Sequence, residues 1–225
     1  MNSLIRQDYP NLPATRVFVA DANSTDNTID IALSFAGKLP VTIIPGGLPS
    51  VGRNNGARLT NSRYVLFVDA DVELTDPTLL RRAVERMKRR RLHCLTTNVW
   101  CAGGSILDRA LYAGNNLVQR FASWTKPFAT GMFMMFDKKK FDEFGGFNER
   151  ALYAEDYLLS KKVSPLRFGI VGGGVVTSNR RFKKMGHFKI ARMFFRTALN
   201  TFNENYFLRD QDYWKDTDEA RGSSY

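Results

Sequence analysis

Cysteine and histidine are nearly absent from this 225-residue chain, with two of each. Cys94 and Cys101 are too few for a disulfide framework, and with no cluster of Cys or His partners they do not suggest a thiolate metal centre. They read as free thiols in a reducing compartment. No apolar run reaches the length of a bilayer span, and no signal-peptide pattern is visible. There are no internal repeats. Acidic residues are outnumbered by basic ones, 22 against 33, for a net charge of +11. That imbalance suits an anionic partner such as nucleotide phosphates, acidic lipid headgroups or nucleic acid. The length fits one domain, or one domain with an appendage. A hydrophobic content of 44% is ordinary for a chain with a packed core.

The basic residues come in local groups: Arg81-Arg82, Lys88-Arg89-Arg90-Arg91, Lys138-Lys139-Lys140, and Arg180-Arg181 with Lys183-Lys184. Most such runs are solvated helix faces. The most informative stretch is Val65-Leu66-Phe67-Val68-Asp69-Ala70-Asp71. A short apolar run of this kind reads as a strand buried on both faces. Asp69 and Asp71 would follow at its C-terminal end, on one side because strand side chains alternate. In open α/β sheets, ligands bind outside the carboxyl ends of the strands. Two neighbouring carboxylates there repel unless a cation sits between them. Mg²⁺ is commonly held by one or two carboxylates plus substrate phosphates. The plain alternative is a strand end with solvated aspartates.

Strand and helix signals alternate along the chain. Arg16–Ala20, Val41–Ile44, Tyr64–Val68 and residues 92–100 read as strands. Helices are expected after Asn27 through about Phe35, from near Ser50 to about Leu59, from Pro77 to Arg90 and over 105–122. Alternation at this spacing predicts an α/β fold with a mostly parallel central sheet and helices on both faces. Beyond it, Ala129–Phe136 reads as a strand, Lys138–Phe144 as a short helix stopped by Gly145-Gly146, Ala154–Lys162 as a helix and Phe168–Thr177 as a glycine-rich strand. Residues 188–199 mix Phe188, Ile190, Met193, Phe194, Phe195 and Leu199 with Lys189, Arg192 and Arg196. Such a helix either packs on the domain, the favoured reading, or lies on a membrane surface. The tail from about Asp210 to Tyr225 is polar, and poor order is expected there.

Five motifs in this order resemble the GT-A fold glycosyltransferases of family 2, over roughly residues 3–187. Asp21-Ala22-Asn23-Ser24-Thr25-Asp26-Asn27-Thr28 is similar to a D-x-x-S-x-D-x-T loop. Gly52-Arg53-Asn54-Asn55-Gly56-Ala57 is similar to an A-R-N-x-G loop, and Asp69-Ala70-Asp71 to a D-x-D metal motif. Gly131 through Phe147, closing on F-G-G-F-N-E, is similar to an acceptor-side segment, and Glu155-Asp156 to an E-D motif opening a helix. The resemblance implies a nucleotide-diphospho-sugar transferase fold over 1–187, incomplete at its N-terminus, followed by amphipathic helices and a polar tail over 188–225.

It also implies roles. Asp21 would accept a hydrogen bond from the nucleobase, usually uracil, with Ser24 in the same nucleotide-sugar loop. Asp26 is better read as a helix cap. Arg53 would stabilise the base and diphosphate region with its planar donors. Asp71 would ligate Mn²⁺ or Mg²⁺, with Asp69 near the ribose or the metal. Asp156 would act as general base on the acceptor hydroxyl, supported by Glu155. Arg180 and Arg181, with Lys183, would close over the diphosphate. His187 is either a further metal ligand or a structural histidine. The expected activity is inverting transfer of a UDP- or GDP-linked sugar to a saccharide or lipid-linked acceptor, in the cytoplasm, with peripheral membrane contact as an open expectation. Nucleic acid is not an expected partner.

The family normally opens with an apolar strand that this sequence lacks, since it begins at what resembles the end of the following helix. A truncated product, a strand supplied by another chain and a degenerate relative would each account for this; truncation is favoured because every later motif is intact. Lys138-Lys139-Lys140 stands for the usual basic residue of the acceptor segment, in uncertain register. Two other readings stay open: a nucleotidyltransferase of related fold, and a non-catalytic basic protein that binds membranes or nucleic acid.

Overall fold

The computed structural model describes residues 1–200 and 203–208, apart from the side chains of Arg181, Phe194, Ala198, Glu204 and Asn205. The expected polar tail from Asp210 lies outside the described residues. In chain order the elements are α1 (Asn2–Ile5), β1 (Val17–Asp21), α2 (Thr28–Leu33), β2 (Val41–Pro45), α3 (Pro49–Arg58), β3 (Tyr64–Val68) and β4 (Val72–Glu73). They continue as α4 (Leu79–Arg90), β5 (Cys94–Ala102), α5 (Ile106–Ala122), β6 (Phe133–Asp137), α6 (Lys138–Glu143) and α7 (Glu155–Ser160). β7 (Phe168–Ser178), α8 (Arg180–Met185), α9 (His187–Leu199) and α10 (Glu204–Phe207) complete them.

Local chemistry accounts for the boundaries. Helix α4 buries Leu79, Leu80, Ala83 and Met87 on one face, leaves Lys88, Arg89 and Arg90 outside, and ends at Arg91 in a left-handed conformation (φ +50°). Helix α5 opens with a capping box: Ser105 accepts from the Asp108 N–H, and the Asp108 carboxylate accepts from the Ser105 N–H. Asp137 caps α6 by accepting from the Lys140 N–H, and Gly145 and Gly146, both at positive φ, end that segment.

The strands form two sheets. β1 and β2 pair in parallel, and the second sheet has the order β3-β6-β5-β7-β4. Within it β5 and β7 are parallel, while β6 runs antiparallel to both β3 and β5. β3, β5 and β7 therefore share one direction, as the α/β reading predicts, with β6 and β4 reversed. No ladder joins the two sheets among the described residues. They share a core instead: Val17 and Val41 pack against the same buried cluster as Tyr64 and Leu66, around Leu79, Met87, Leu95 and Phe133.

One expectation needs correction. β3 is not buried on both faces; its residues alternate between half-buried and buried, and Val68 is exposed. The reason is position, since among the described residues β3 ends the sheet and ladders with β6 alone. The doubly buried strand is β6, where Phe133, Met134, Met135 and Phe136 are almost fully covered. Beneath the site, Phe67, Phe136, Phe141 and Phe147 pack in tilted and edge-to-face pairs with ring centroids 5.0–5.7 Å apart. Each such pair contributes about 0.5–1.5 kcal/mol beyond the area it buries.

Candidate functional site

The site is organised around one arginine. Arg53, on α3, donates from Nη1 to Oε1 of Glu155 at 2.5 Å and from Nη2 to Oδ1 of Asp69 at 2.6 Å. Its guanidinium also lies over the Phe147 ring, 5.4 Å from the centroid. The fork thus ties the end of β3 to the start of α7. The side chains of Arg53 and Glu155 are only 13% and 10% exposed. Burial alone would lower the guanidinium pKa, but the carboxylates of Asp69, Glu155 and Asp156 outweigh it and the shift is upward. Gly131 makes the approach feasible, because a Cβ there would overlap the Arg53 guanidinium.

Asp156 sits beside this pair. Its Oδ2 accepts the Gly131 backbone N–H at 2.7 Å, and its Oδ1 accepts the N–H of Tyr157, also at 2.7 Å. Ala154, just before α7, is held at φ +52°, an uncommon conformation for a residue with a Cβ, and it sets the direction in which the helix leaves the site. The Asp156 pKa rises to about 7, chiefly through burial and then through the charge of Glu155. Arg53 and the two N–H donors oppose that rise without cancelling it. A buried carboxyl with a like charge beside it is the pattern expected of a group that exchanges protons near neutrality.

Sequence reasoning assigned no role to Asn54 or Glu149, although both stand inside quoted motifs. Asn54 Nδ2 donates to the Phe147 carbonyl at 2.9 Å and to Glu149 Oε1 at 2.8 Å, and the Phe147 N–H donates to Asn54 Oδ1 at 3.0 Å. Arg58 donates to the same Glu149 oxygen at 2.7 Å. The R-N-N-G and G-G-F-N-E motifs are therefore two halves of one contact. Their shared polar composition was the only signal of it.

Asp69 and Asp71 occupy a turn between β3 and β4, in which the Val72 N–H donates to the Asp69 carbonyl. Their placement comes from this turn rather than from strand alternation. Asp71 is about half exposed, and Arg180 Nη2 lies 3.8 Å from its Oδ2. Among the described residues, no three His, Cys, Asp or Glu side chains are gathered to cage a metal ion. Asp71, with the Asp69 oxygen that Arg53 leaves free, fits a cation that takes its remaining oxygens from phosphate and water.

The other predicted residues divide. Asp21 accepts the Ser24 N–H at 3.0 Å, and its carbonyl accepts the Gly46 N–H at 2.7 Å, so it organises the loop at the ends of β1 and β2. Asp26 accepts the Thr28 N–H at 3.0 Å in a turn just ahead of α2; it is not the cap expected, since the N-cap position is Asn27, whose side chain makes no capping bond. Arg180 is largely exposed near Asp71, and the Arg181 side chain lies outside the described residues. His187 makes its hydrogen bond elsewhere. Its Nε2 lies 2.6 Å from Oδ1 of Asp108, whose Oδ2 accepts from Asn179, and its ring stacks on Phe182 at 5.3 Å. That environment matches the structural reading of His187.

Taken together, the geometry offers a buried carboxyl with a raised pKa, a half-exposed Asp71 beside the Arg53-bound Asp69, and Arg180 nearby. The family model for glycosyl transferase family 2 matches residues 1–145. The glycosyltransferase YibD of Escherichia coli K12, whose activity is uncharacterised, is 32% identical over 105 residues, covering 45% of this chain and 29% of its own length. The fold is similar to that of S. aureus TarS 1–349 solved with UDP (TM-score 0.60, 20% identity), covering 79% of this chain and 54% of that one. It is also similar to the mannosyltransferase PcManGT of Pyrobaculum calidifontis solved with GDP-Man and Mn²⁺ (TM-score 0.64, 17% identity), covering 100% and 71%. The chain thus spans under a third of YibD and about half of TarS 1–349.

Proposed function

Because the chain belongs to glycosyl transferase family 2, we propose that it moves a sugar from a UDP- or GDP-linked donor to an acceptor hydroxyl with inversion at the anomeric carbon. The observation that carries the reading is the Arg53 fork, which brings Asp69 on the donor side and Glu155 on the acceptor side onto one guanidinium beside Asp156. TarS with UDP and PcManGT with GDP-Man and Mn²⁺ support the choice of nucleotide and of a divalent cation.

In this reading the acceptor oxygen bonds to the anomeric carbon as its proton passes to the Asp156 carboxylate. The bond from that carbon to the diphosphate oxygen breaks, and the diphosphate leaves with the electron pair. A base with a pKa near 7 retains driving force for proton transfer while still being ionised in a useful fraction of molecules. Glu155, fixed on Arg53, keeps a negative charge beside Asp156 and so maintains its basicity. Both donor forks of Arg53 are occupied by carboxylates, so its assigned work is positioning rather than gripping the donor. Asp21 receives the nucleobase, with its loop held by Ser24, and Arg180 with Arg181 faces the departing diphosphate. Asp71, with Asp69, would hold Mn²⁺ or Mg²⁺, which when bound neutralises charge developing on the diphosphate. His187, held by Asp108, anchors α9.

The test is thermal stabilisation by UDP and GDP, with and without Mn²⁺, beside an Asp71→Asn variant. Metal-dependent stabilisation that disappears in the variant supports the reading. A nucleotide shift of equal size in both proteins, or none in either, overturns it.

A further inference from the structure

Helix α5 is built inside out. Its buried residues are the polar Asp108, Asn116 and Gln119. Its exposed face carries Ile106 (82% exposed), Leu107, Leu117, Val118 and Phe121, and Trp124 (70%) follows one turn later. A helix on a globular surface has the opposite polarity.

The inner face has a clear cause. β6 ladders with β5 only over Cys94–Thr96, so among the described residues β5 continues without a strand on that side. The amides of α5 substitute for one. Val99 N–H donates to Asn116 Oδ1 and Val99 carbonyl accepts from Asn116 Nδ2, both at 2.9 Å, and Gln119 Nε2 donates to the Thr97 carbonyl at 3.4 Å. Buried backbone polar groups require such partners. Nothing in this arrangement requires an apolar outer face.

Helix α9 carries an exposed apolar stripe of its own. The Asp108–His187 hydrogen bond and the edge-to-face contact of Tyr112 with Phe182 (5.3 Å) bring α8 and the start of α9 onto the inner side of α5. Along α9, Phe188, Phe195 and Leu199 are exposed. Within the two helical segments the exposed charge is of one sign, while the sequence beyond α9 is acidic, with Glu204 and five acids over 210–219. Asp108, which is buried, is the single acid between residues 103 and 126, and none occurs between Asn179 and Asn200, whereas Arg109, Arg120, Arg192 and Arg196 are exposed.

We propose that α5 and α9 form a docking face for an anionic bilayer surface. The apolar side chains enter the boundary between headgroups and acyl chains, and the arginines meet lipid phosphates. Charge decides among occupants. A second copy of this chain packed through the same face would oppose arginine to arginine, whereas acidic headgroups complement the patch. No described helix is long and apolar enough to cross a membrane, so α5 and α9 lie on the surface. The inference is independent of the proposed glycosyl transfer, because its test reads binding alone.

The experiment is co-sedimentation of the full chain with phosphatidylcholine vesicles, with and without phosphatidylglycerol, at low and high salt. The parent is compared with a Phe121→Glu/Trp124→Glu variant and an Arg192→Glu/Arg196→Glu variant, while thermal melts monitor folding and sedimentation velocity monitors oligomeric state. We expect salt-sensitive binding to the anionic vesicles, weakened about tenfold or more in each variant, with melting temperatures close to the parent's because all four residues are exposed. Absence of binding at low salt overturns the proposal. So does binding unaffected by the Phe121/Trp124 changes, or a dimer that those changes dissociate.

Discussion

The carboxamide of Asn54 grips the backbone of Phe147 at both ends, donating to its carbonyl at 2.9 Å and accepting its N–H at 3.0 Å. Phe147 in turn lies under the Arg53 guanidinium and stacks edge-on to Phe67 at 5.0 Å. An exposed-looking motif residue thus holds the floor of the site. Asn54→Ala strands two buried backbone groups and is expected to destabilise the fold by roughly 2–4 kcal/mol. Urea unfolding of parent and variant checks this, and a loss under about 0.5 kcal/mol would contradict the bracket.

Arg53→Ala leaves Glu155 buried and without its cation. Breaking a buried pair by removing one partner costs on the order of 3–5 kcal/mol. Arg53→Lys keeps the charge, but one ammonium cannot reproduce the planar fork toward Asp69 and Glu155. The lysine variant is expected to fold less stably than the parent, more stably than the alanine variant, and to lose most of its activity. Denaturation midpoints together with turnover measurements would reveal that order.

Asp156 carries a pH signature. Its pKa in the fold is about 7 against an ordinary value of 3.8. Between those values the native protein keeps a proton that the unfolded chain has released. Its contribution to stability is therefore favourable at the acidic end of that window and is lost as pH rises through about 7. Catalysis by the ionised form has the opposite trend, with kcat/KM climbing through about pH 7. Asp156→Asn is expected to melt higher than the parent at pH 8 and to lose roughly 10²–10⁴-fold in rate. Melting curves and pH–rate profiles on both proteins test the pair of effects together.

Asp108 titrates in the other direction. Burial raises its pKa, but hydrogen bonds from His187, Ser105 and Asn179 prevail and hold it at about 2 against 3.8. Its stabilising contribution is present above the ordinary carboxylate pKa and disappears as pH falls from about 4 through about 2. Asp108→Asn is expected to melt below the parent at neutral pH, with the gap narrowing across that acidic window. A gap independent of pH would show that the carboxylate charge does not hold α9.

Much of this architecture is legible locally. Val17–Asp21 and Val41–Pro45 announce themselves as short apolar runs ending at turn residues. The acidic first turn of α7 follows from Glu155-Asp156, and the stop after α6 follows from Gly145-Gly146. Relationships set by distant strands are not legible in that way. Nothing near Val65–Val68 reveals that β3 ends its sheet, so its half-exposure was missed. The reversed direction of β6 depends on pairings with residues far along the chain. The amide-lined inner face of α5 depends on β6 leaving β5 after Thr96. His187 was ambiguous because its partner, Asp108, is 79 residues away.

The division of the strands into two sheets has a kinetic consequence. β1 and β2 pair across a short local crossover, whereas β5 and β7 join residues such as Thr97 and Val171, 74 positions apart. Closing the longer loop costs more chain entropy before any contact repays it. The loop at Asp21 can thus become ordered early, on a locally assembled half of the molecule. The surroundings of Asp156 must wait for the whole chain. Pulse-labelling hydrogen exchange during refolding is expected to protect amides of β1 and β2 before those of β5 and β7, so that the Asp21 loop exists in time before the surroundings of Asp156.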